Sequence, residues 1–430
     1  MFIKLLAKKI IPENLYKLLK AQKDKIKLLF DIKKYNKTQN KYSSVLKCIQ
    51  KKDKISVGFY VVYDSSWGAR PLFEKMSENS FFNTAIVVCP DVARGQKNEK
   101  TVLYEVYERL KNKYGSEKVF LSYDIQNDKY VDYSDKFDFI GIANPYDEMT
   151  YKYYQVKYLV TKNKLCFYNS YGYQGKLKYD IYLMKIDTFN LFWKMFVDNE
   201  ATKQLAEKEQ YIHGKNIEVT GCCKMDDFHI SDKKSKRKTI IIAPHHTVDK
   251  SNLNLSNFLD YSDFIKELPE KYPDIDFVFR PHPLLFTKLR KPELWGNERV
   301  DQYIKDITKY ENVVYSTEGE YFDVFNESDA MIDDCGSFLA EYFYTNKPQC
   351  YMLRNENQFN EEYIDFGKEF FNYVYKAYTK DDIINFIENV VINGDDNLKE
   401  SRQEFAKAKV MINHPNVADY IVKYFIGLMK

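Results

Sequence analysis

The chain has 430 residues, and at about 100–200 residues per domain this length predicts two domains. Hydrophobic residues make up 44% and charged residues 30% of the sequence, which is typical of globular proteins and excludes a disordered chain. The 65 Lys and Arg and the 62 Asp and Glu leave a net charge of +3. A nucleic-acid-binding protein with a uniformly basic face is therefore not expected.

The near-neutral total conceals a basic amino-terminal segment. Residues 1–37 hold eleven Lys and three acidic residues, a charge of +8, so the rest of the chain carries −5. Apolar residues recur between the lysines at roughly helical spacing, and Pro12 predicts a break, which gives two or three short helices. Such helices bind an anionic membrane surface; the alternative is a solvated helix that packs on the domain. The apolar residues are Leu5, Leu6, Ile10, Leu15, Leu18, Leu19, Ile26, Leu29 and Phe30.

The compartment is predicted from what the sequence lacks. No window has 18 consecutive apolar residues, so a transmembrane helix is not expected, and the first residues do not resemble a secretory signal. The seven Cys show no CxxC spacing, which fits a reducing cytosol, and a structural zinc site is not expected. We expect a cytoplasmic protein that is peripheral on the inner face of the cell membrane.

Alternating strands and helices are predicted from residue 55 onward. The mostly apolar run Ile55–Tyr63 is typical of a buried parallel strand. The connections between strands are too long for hairpins, which favours a parallel sheet with intervening helices. The other strands predicted in this half are Thr84–Cys89, Val119–Tyr123, Phe137–Ala143 and Leu165–Asn169, with helices at 98–114 and 148–159.

The polar, basic stretch Ser231–Lys238 predicts a linker, after which the same rhythm begins again. The second half therefore predicts another parallel sheet. Its strands are Thr239–Ala243, Phe277–Arg280, Val313–Tyr315, Ala330–Ile332 and Gln349–Leu353. Its helices are Leu255–Lys271, Val300–Tyr310, Tyr321–Glu327, Ser337–Tyr344, 380–393 and 416–428.

Two such halves predict an α/β protein with two Rossmann-like domains that face one another across a cleft. The domains are assigned to residues 51–230 and 239–395, after a basic helical segment at 1–50 and before helices at 396–430 that pack back toward the first domain. Ligands of such sheets bind outside the carboxyl ends of the strands. Chemistry is therefore sought in the loops that follow strands.

The loop after the strand at 277–280 is the first candidate. Arg280 offers a permanent bidentate charge for phosphate. His282 lies between Pro281 and Pro283, which make the loop rigid, and its imidazole could donate to a phosphate or accept a proton.

A second candidate follows the strand at 330–332 and opens a helix. Gly336 permits a close approach of the backbone, Ser337 adds a hydroxyl, and the amides of a helix start favour an anion. Glu341, one turn into the helix, could accept hydrogen bonds from ribose hydroxyls. Asp333 and Asp334 precede this turn and could equally cap the helix.

Three further loops could contribute. His245 and His246 follow the first strand of the second half; as neighbours in sequence they are expected to point apart and not to share a metal. In the first half, the loop after the first strand offers Asp64 as a possible base and Arg70 as a possible phosphate contact. The loop Asn169–Tyr173 follows a later strand. Both loops could lie on the acceptor side, and ordinary surface turns are the alternative. The sequence contains no GxGxxG, GxxxxGK[ST], HExxH or GxSxG motif, so the chemistries of those motifs are disfavoured.

These motifs resemble the CDP-glycerol glycerophosphotransferase family, the teichoic acid polymerase-like enzymes, over roughly residues 210–355. The family's His-Pro after a central strand is matched by His282-Pro283. Its Asp-Tyr-Ser-Ser at a helix start is matched loosely by residues 334–337. Thr220-Gly221 with Asp226, and Asn346-Lys347-Pro348, also fit.

The resemblance implies the GT-B fold, with an acceptor domain at 51–230 and a nucleotide-donor domain at 239–395. It implies transfer of glycerol phosphate, or another polyol phosphate, from a CDP-activated donor to a cell-surface glycan such as capsule or teichoic acid, at an anionic membrane and with an acceptor that can be lipid-linked. Neither a metal nor a cofactor is implied, and no nucleic acid is expected as a partner. The catalytic candidates are His282 and Asp64, and the candidates for binding the donor are Arg280, His245, Asp334, Gly336, Ser337 and Glu341.

Two departures keep other activities open. The family's Trp-His-Gly, whose His is a catalytic candidate, corresponds here to Ser170-Tyr171-Gly172. Residues 334–337 together with Glu341 also resemble the Asp-Ser-Gly-Gly…Glu pattern of GT-B proteins that use UDP-sugars. A GT-B glycosyltransferase or epimerase acting on a UDP- or other nucleotide-sugar, and a non-catalytic membrane-associated GT-B-like binder, are the alternatives.

Overall fold

The structure, a computed structural model, describes residues 13–173, 175–231, 236–249, 253–317 and 319–429. Two parallel β-sheets follow one another along these residues, each with helices between its strands. The expectations for Leu5, Leu6, Ile10 and Pro12 lie outside the described residues. No helix within the described ranges is long and apolar enough to cross a membrane.

The strands of the first half are rich in β-branched and aromatic residues. The central ones, Ile55–Val61, Phe139–Ile142 and Leu165–Asn169, are almost fully buried, as parallel strands between helix layers are. The strands of this half are β1 (Ile55–Val61), β2 (Phe82–Val88), β3 (Val119–Leu121), β4 (Tyr123–Asp124), β5 (Lys129–Tyr130), β6 (Phe139–Ile142), β7 (Leu165–Asn169), β8 (Lys194–Val197) and β9 (Ile217–Val219). Across the described residues the parallel sheet runs in the order β3-β2-β1-β6-β7-β8-β9, and β4 and β5 form a separate antiparallel ribbon. Ile55 of β1 pairs with Phe82 of β2.

The helices of the first half cover this sheet or precede it. They are α1 (Glu13–Ile49), α2 (Arg70–Glu78), α3 (Gln96–Tyr114), α4 (Val156–Thr161), α5 (Leu177–Lys185), α6 (Asp187–Leu191) and α7 (Glu200–Glu209). The helix predicted at 148–159 is wrong in extent, because two short 3₁₀ turns, Asp147–Met149 and Lys152–Tyr154, precede α4.

The second sheet is built in the same way. Its strands are β10 (Lys238–Ala243), β11 (Ile275–Phe279), β12 (Val313–Tyr315), β13 (Ala330–Asp333), β14 (Gln349–Met352) and β15 (Tyr375–Ala377). They are all parallel, in the order β12-β11-β10-β13-β14-β15 within the described residues. The order reverses beside β10, so its carboxyl end, with those of β11 and β13, borders the crevice where such sheets bind ligands.

The helices of the second half, α8 to α17, continue to the end of the chain. They are α8 (Phe258–Lys271), α9 (Leu284–Leu289), α10 (Gly296–Thr308), α11 (Phe322–Glu327), α12 (Phe338–Glu341), α13 (Gln358–Glu362), α14 (Asp365–Glu369), α15 (Lys380–Asn385), α16 (Lys399–Phe405) and α17 (Val417–Leu428). Helix α15 begins with a capping box between Thr379 and Asp382.

The last helix, α17, returns to the first domain. Its Phe425 is buried, with its ring 5.1 Å from that of Phe139 and 5.3 Å from that of Phe167. Ile421 and Val417 belong to the same buried cluster as strand β1. Burying a large apolar side chain is worth about 1.5–3 kcal/mol, so this helix ties the end of the second half to the first sheet.

Helix α1 is one continuous helix of 37 residues, whereas short, separate helices were predicted. Neither Pro nor Gly occurs in residues 13–49, so nothing ends the helix early. Its second half is anchored on the first domain: the Tyr35 hydroxyl donates to Asp187 over 2.5 Å, and the Gln39 amide donates to the Phe192 carbonyl over 2.9 Å.

The first half of α1 carries an exposed apolar stripe. At 100° per residue its side chains fall within about 120° of the helix circumference, and five lysines lie outside this range. The stripe is formed by Leu15, Leu18, Leu19, Ile26, Leu29 and Phe30, all exposed; the five lysines are Lys17, Lys20, Lys23, Lys25 and Lys27.

Candidate active site

Two chambers lie side by side between the domains. The first, the tyrosine chamber, has a volume of about 670 Å³. The second, the arginine chamber, has a volume of about 610 Å³. The tyrosine chamber is lined by residues that include Tyr168, Tyr179, Tyr182, Lys176, Lys178, His246 and Lys288; the arginine chamber is lined by residues that include Arg280, Ser316, Tyr321, Lys224 and Glu341. Both are lined by Tyr171, Gly172, His245, His282 and Ser337.

Three imidazoles lie where the chambers meet. The ring centres of His245 and His246 are 4.3 Å apart, and those of His246 and His282 are 4.0 Å apart. The expectation that the neighbouring histidines point apart is wrong. They follow the end of β10, where a tight turn has formed in which the Val248 N–H donates to the His246 carbonyl, and the loop after β11 brings in the third ring.

The hydrogen bonds of this cluster fix two tautomers. Nδ1 of His282 accepts the backbone N–H of Leu284 over 3.1 Å, so the proton of the neutral ring is on Nε2. Nδ1 of His245 lies 3.0 Å from Oγ1 of Thr247. That Oγ1 already accepts the N–H groups of Leu255 and Ser256. The Thr247 hydroxyl therefore donates its proton to Nδ1 of His245, and the proton of the neutral His245 ring is on Nε2. Both rings therefore offer Nε2–H as a donor.

All three rings are neutral at physiological pH. Burial lowers the pKa of His282 to about 3 and that of His246 to about 4, and it lowers the pKa of His245 well below its usual value. The neighbouring imidazoles and Lys288 add to this by disfavouring another positive charge. The three rings approach closely enough for their nitrogens to share a cation, but two of them present N–H groups rather than lone pairs.

Asp334 holds the loop after β10, which carries His245 and His246. It is buried and accepts the backbone N–H groups of His245 and Asn257, each over 2.6 Å. Burial raises its pKa to about 7 and that of Asp333 to about 8. Asp334 was predicted to bind the donor, but its two oxygens face backbone amides and it lines neither chamber.

The arginine chamber brings together two of the predicted residues. Arg280 donates to Oγ of Ser316 over 2.5 Å and lies 5.4 Å from the ring centre of Tyr321. Glu341 accepts the Tyr321 hydroxyl, and Lys224 Nζ lies 3.6 Å from its carboxylate. The chamber thus has a cation at one wall and a buried carboxylate at another.

On the side of the second domain, Ser337 lines both chambers and Gly336 lines the tyrosine chamber. A Cβ at Gly336 would meet Leu255, Lys176 and Tyr363 at 3.3 Å, and a Cβ at Gly172 of the first domain would lie 3.2 Å from Oγ of Ser337. A side chain at either glycine would crowd the other domain, so the two glycines leave room between the chambers.

Asp64 and Arg70 lie apart from the histidines. Asp64 makes a two-pronged ion pair with Arg109, at 2.8 and 3.0 Å, and lines a small cavity of about 20 Å³. Arg70 is paired with Asp227 and Glu320 at 2.7 and 2.8 Å, so it joins the two domains. The structure places neither side chain on the walls of the two chambers.

The wall of the tyrosine chamber was predicted only in part: Ser170, Tyr171 and Gly172, from the loop expected on the acceptor side, line it, but the residues packed around Tyr171 were not predicted. Tyr146 lies within hydrogen-bond distance of Tyr171, at 3.2 Å between the hydroxyls, and of Tyr179. Lys176 and Lys178 stand at the start of α5. The loop after β7 could be recognised as part of this wall because it follows a strand of the sheet. Helix α5, which follows the loop, was not predicted.

The fold is that of the GT-B class. The wall teichoic acid polymerase TagF aligns over 97% of this chain and 98% of its own, at 14% identity and a TM-score of 0.54. The S. aureus MnaA–UDP co-structure aligns over 88% and 98%, at 15% identity and 0.52. A UDP-GlcNAc 2-epimerase from Neisseria meningitidis, bound to UDP-GlcNAc, aligns over 87% and 100%, at 14% and 0.51. At these identities the likeness establishes the fold.

The family is established by the sequence. The family model of the CDP-glycerol:poly(glycerophosphate) glycerophosphotransferases matches residues 186–426, which is more than half of the chain. The chain therefore belongs to this family of transferases, and the resemblance seen in its motifs is confirmed. A comparison with curated proteins finds no match.

Because the three imidazoles are neutral, we predict that their NMR signals do not change with pH in the usual histidine range. The ring signals of His245, His246 and His282 should remain those of neutral imidazole from pH 8 to pH 5, because their pKa values lie below that range or well below the usual one. In the urea-denatured chain, the control, the same residues should titrate near the usual value of about 6.5. A midpoint near 6.5 for all three in the folded protein would contradict the burial argument.

Proposed function

We propose that this chain transfers glycerol phosphate, or another polyol phosphate, from a CDP-activated donor to a hydroxyl of a cell-surface glycan such as teichoic acid or capsule. The observation that carries the proposal is the cluster of neutral N–H donors at the junction of two chambers. One chamber suits a nucleotide diphosphate and the other an extended acceptor. Membership of the family supports the choice of donor.

The arginine chamber is assigned to the donor. Arg280 supplies a permanent charge for the diphosphate, and the carboxylate of Glu341 can accept hydrogen bonds from ribose hydroxyls. The Arg280 side chain is braced by Ser316, so little conformational freedom is lost when phosphate binds. Ser337, which lines both chambers, then lies beside the phosphates just before α12, and Gly336 next to it lines the acceptor side.

The reaction needs its charge stabilised where the bond breaks. The acceptor hydroxyl attacks the phosphorus that carries glycerol, its P–O bond to the CMP phosphate breaks, and the electron pair leaves on that oxygen. In such a transfer, groups that donate to the non-bridging oxygens and to the departing phosphate lower the barrier. Two such donors lie at the chamber boundary, the Nε2–H groups of His245 and of His282. Arg280, which lines the arginine chamber together with His282, adds a positive charge.

The tyrosine chamber is assigned to the acceptor. Its aromatic side chains suit the faces of sugars or polyols, and Lys176, Lys178 and Lys288 give it positive charge. Positive charge favours an acceptor that carries phosphodiesters. A neutral glycan would offer these lysines hydroxyl oxygens but no negative charge. Within the chain, Lys176 donates to the Tyr173 carbonyl over 2.8 Å and Lys288 pairs with Asp249 at 3.1 Å.

One observation favours a second candidate, a GT-B enzyme that uses a UDP-sugar. Glu341 follows the Asp-Cys-Gly-Ser turn at the spacing noted above, and the fold is shared with proteins solved with UDP or UDP-GlcNAc. The donor test below therefore includes UDP-GlcNAc.

The exposed stripe of α1 is assigned to the inner face of the cell membrane. Six large apolar side chains are exposed on this half of the helix, and lysines flank them. Such a helix lies in the membrane interface, with apolar side chains among the acyl chains and lysines near anionic headgroups. The anchored second half of α1 would hold the catalytic domains beside that surface, where a lipid-linked acceptor can reach them.

The donor prediction is tested with radiolabelled CDP-glycerol and a short poly(glycerol phosphate) acceptor. The full-length protein should extend the acceptor and release CMP. His282→Ala should lower kcat by about 10²–10³-fold, since it removes a donor to the developing charge. The matched control His213→Asn, on an exposed turn, should leave the rate unchanged. Turnover of UDP-GlcNAc alone, with no use of CDP-glycerol, would contradict the assignment of the donor.

The membrane prediction compares two variants that change the charge of α1 equally. Leu18→Glu removes a side chain from the stripe, and Ala21→Glu, the control, changes an exposed position outside it. Burial of a leucine is worth about 1.5–3 kcal/mol and one charge near the surface about 1 kcal/mol. Sedimentation with phosphatidylglycerol vesicles should therefore show that Leu18→Glu binds about tenfold or more weakly than Ala21→Glu. Equal binding of the two variants would contradict insertion of the stripe.

A further inference from the structure

The three imidazoles of the cluster occupy different places. His245 and His282 line both chambers, whereas His246 lines the tyrosine chamber only. The His246 ring nevertheless lies 4.0 Å, centre to centre, from that of His282. His246 is therefore beside the boundary at which the reaction is assigned, on the side of the acceptor.

The free nitrogens of the rings differ as well. Nδ1 of His245 and of His282 each have a hydrogen-bond partner, and both rings are left with N–H to donate. Nδ1 of His246 is buried and has no hydrogen-bond partner among the described residues. Buried polar atoms are almost always paired, so an unpaired nitrogen in a cleft points to a ligand that supplies the missing proton.

The other groups that line the tyrosine chamber are poorly suited to accept a proton. Asp180 accepts the N–H groups of Gly175 and Lys176 through Oδ2, each over 2.6 Å, so it holds the loop before α5. Its Oδ1, like Nδ1 of His246, is buried and has no hydrogen-bond partner among the described residues. Asp180 as a whole has no exposed surface at which an acceptor could reach it, whereas His246 is partly exposed. Burial raises the pKa of Tyr168 and of Tyr179, and these phenols therefore stay protonated. The ammonium group of a lysine side chain donates hydrogen bonds and has no lone pair to offer.

From this geometry we propose that His246 is the general base for the acceptor: its imidazole takes the proton of the attacking hydroxyl. The inference rests on the proposed transfer. The hydroxyl oxygen forms the new bond to the phosphorus of the glycerol phosphate, and the bond from that phosphorus to the CMP oxygen breaks. The electron pair departs with CMP, and the proton passes to the imidazole and then to water.

The charges that face His246 fit this role. They belong to Lys288 and Asp249, which are paired with one another at 3.1 Å, and to the neutral rings of His245 and His282. Burial and Lys288 lower the pKa of His246 to about 4 in the free protein, so its lone pair is available at pH 7. A bound diphosphate brings negative charge to the neighbouring chamber, which raises the pKa of the imidazole and favours transfer of a proton to it.

A shared divalent cation is the rival account of the cluster, because the three ligand nitrogens lie within 4.8 Å of one another. The hydrogen bonds of His245 and His282 argue against a shared metal and favour the role of His246 as a general base. With Nδ1 of His245 and of His282 engaged, each ring would have to lose its Nε2 proton, or break its bond at Nδ1, before it could ligate a metal. Metal binding is therefore carried as an outcome of the test.

The experiment compares His246→Gln with His229→Gln, in which an exposed histidine receives the same change. Steady-state transfer from CDP-glycerol and calorimetric binding of CDP-glycerol are measured in parallel after dialysis against EDTA. His246→Gln should lower kcat by about 10²–10⁴-fold, which is typical of a lost general base, with donor affinity within about twofold of the wild type. His229→Gln should match the wild type in both measurements. Added imidazole should restore part of the activity of His246→Ala.

Each other outcome overturns the proposal. A kcat for His246→Gln within about threefold of the wild type would remove His246 from proton transfer. Parallel loss of donor affinity and rate would assign it to binding. If the dialysed wild type transfers only after ZnCl₂ or MnCl₂ is added, and His246→Gln no longer binds that metal, the cluster is a metal site. A wild type that binds CDP-glycerol and fails to transfer it under every condition would overturn the proposed function itself, and with it the role of His246.

Discussion

The buried carboxylate of Asp334 is the contact on which the site depends. Its two oxygens accept the backbone N–H groups of His245, after β10, and of Asn257, before α8. A carboxylate that accepts backbone amides orients both chain segments at once, and here it fixes the direction in which the loop after β10 leaves the sheet. The positions of His245, His246 and Thr247 follow from that direction, and so does the tautomer of His245.

The two chambers depend in turn on how the domains are held together. Helix α17, from the end of the chain, buries Phe425 among the aromatic rings of the first sheet, and Arg70 joins Asp227 and Glu320 across the cleft. These contacts lie away from the histidines, so the interior of the cleft is left to substrates. Within the cleft Gly172 faces Ser337, and a side chain at Gly172 would narrow the passage between donor and acceptor.

Much of the fold could be predicted from the sequence, because long apolar runs separated by helical patterns leave few alternatives to parallel sheets. The predicted strands agree with β1–β3, β6, β7 and β10–β14 to within two residues at each end. Strands β8, β9 and β15 were missed because each is short and includes a lysine or a glutamate, so none of them stands out as an apolar run. The two-residue strands β4 and β5 were missed too. In the site, Arg280, His282 and Glu341 could be found from their places after strands. The approach of His246 to His282 could not, since it depends on the turn after β10 and on a register between strands that residue spacing does not encode.

The central claim is that transfer occurs at the histidine cluster, with donor and acceptor on opposite sides of it. The most direct measurement is a crystal structure of the full-length protein with CDP-glycerol bound. The cytidine should lie in the arginine chamber, and oxygens of the phosphate that carries glycerol should lie about 3 Å from Nε2 of His245 and of His282, the distance of an N–H···O bond. A nucleotide bound in the tyrosine chamber, or a diphosphate that contacts neither imidazole, would contradict the account.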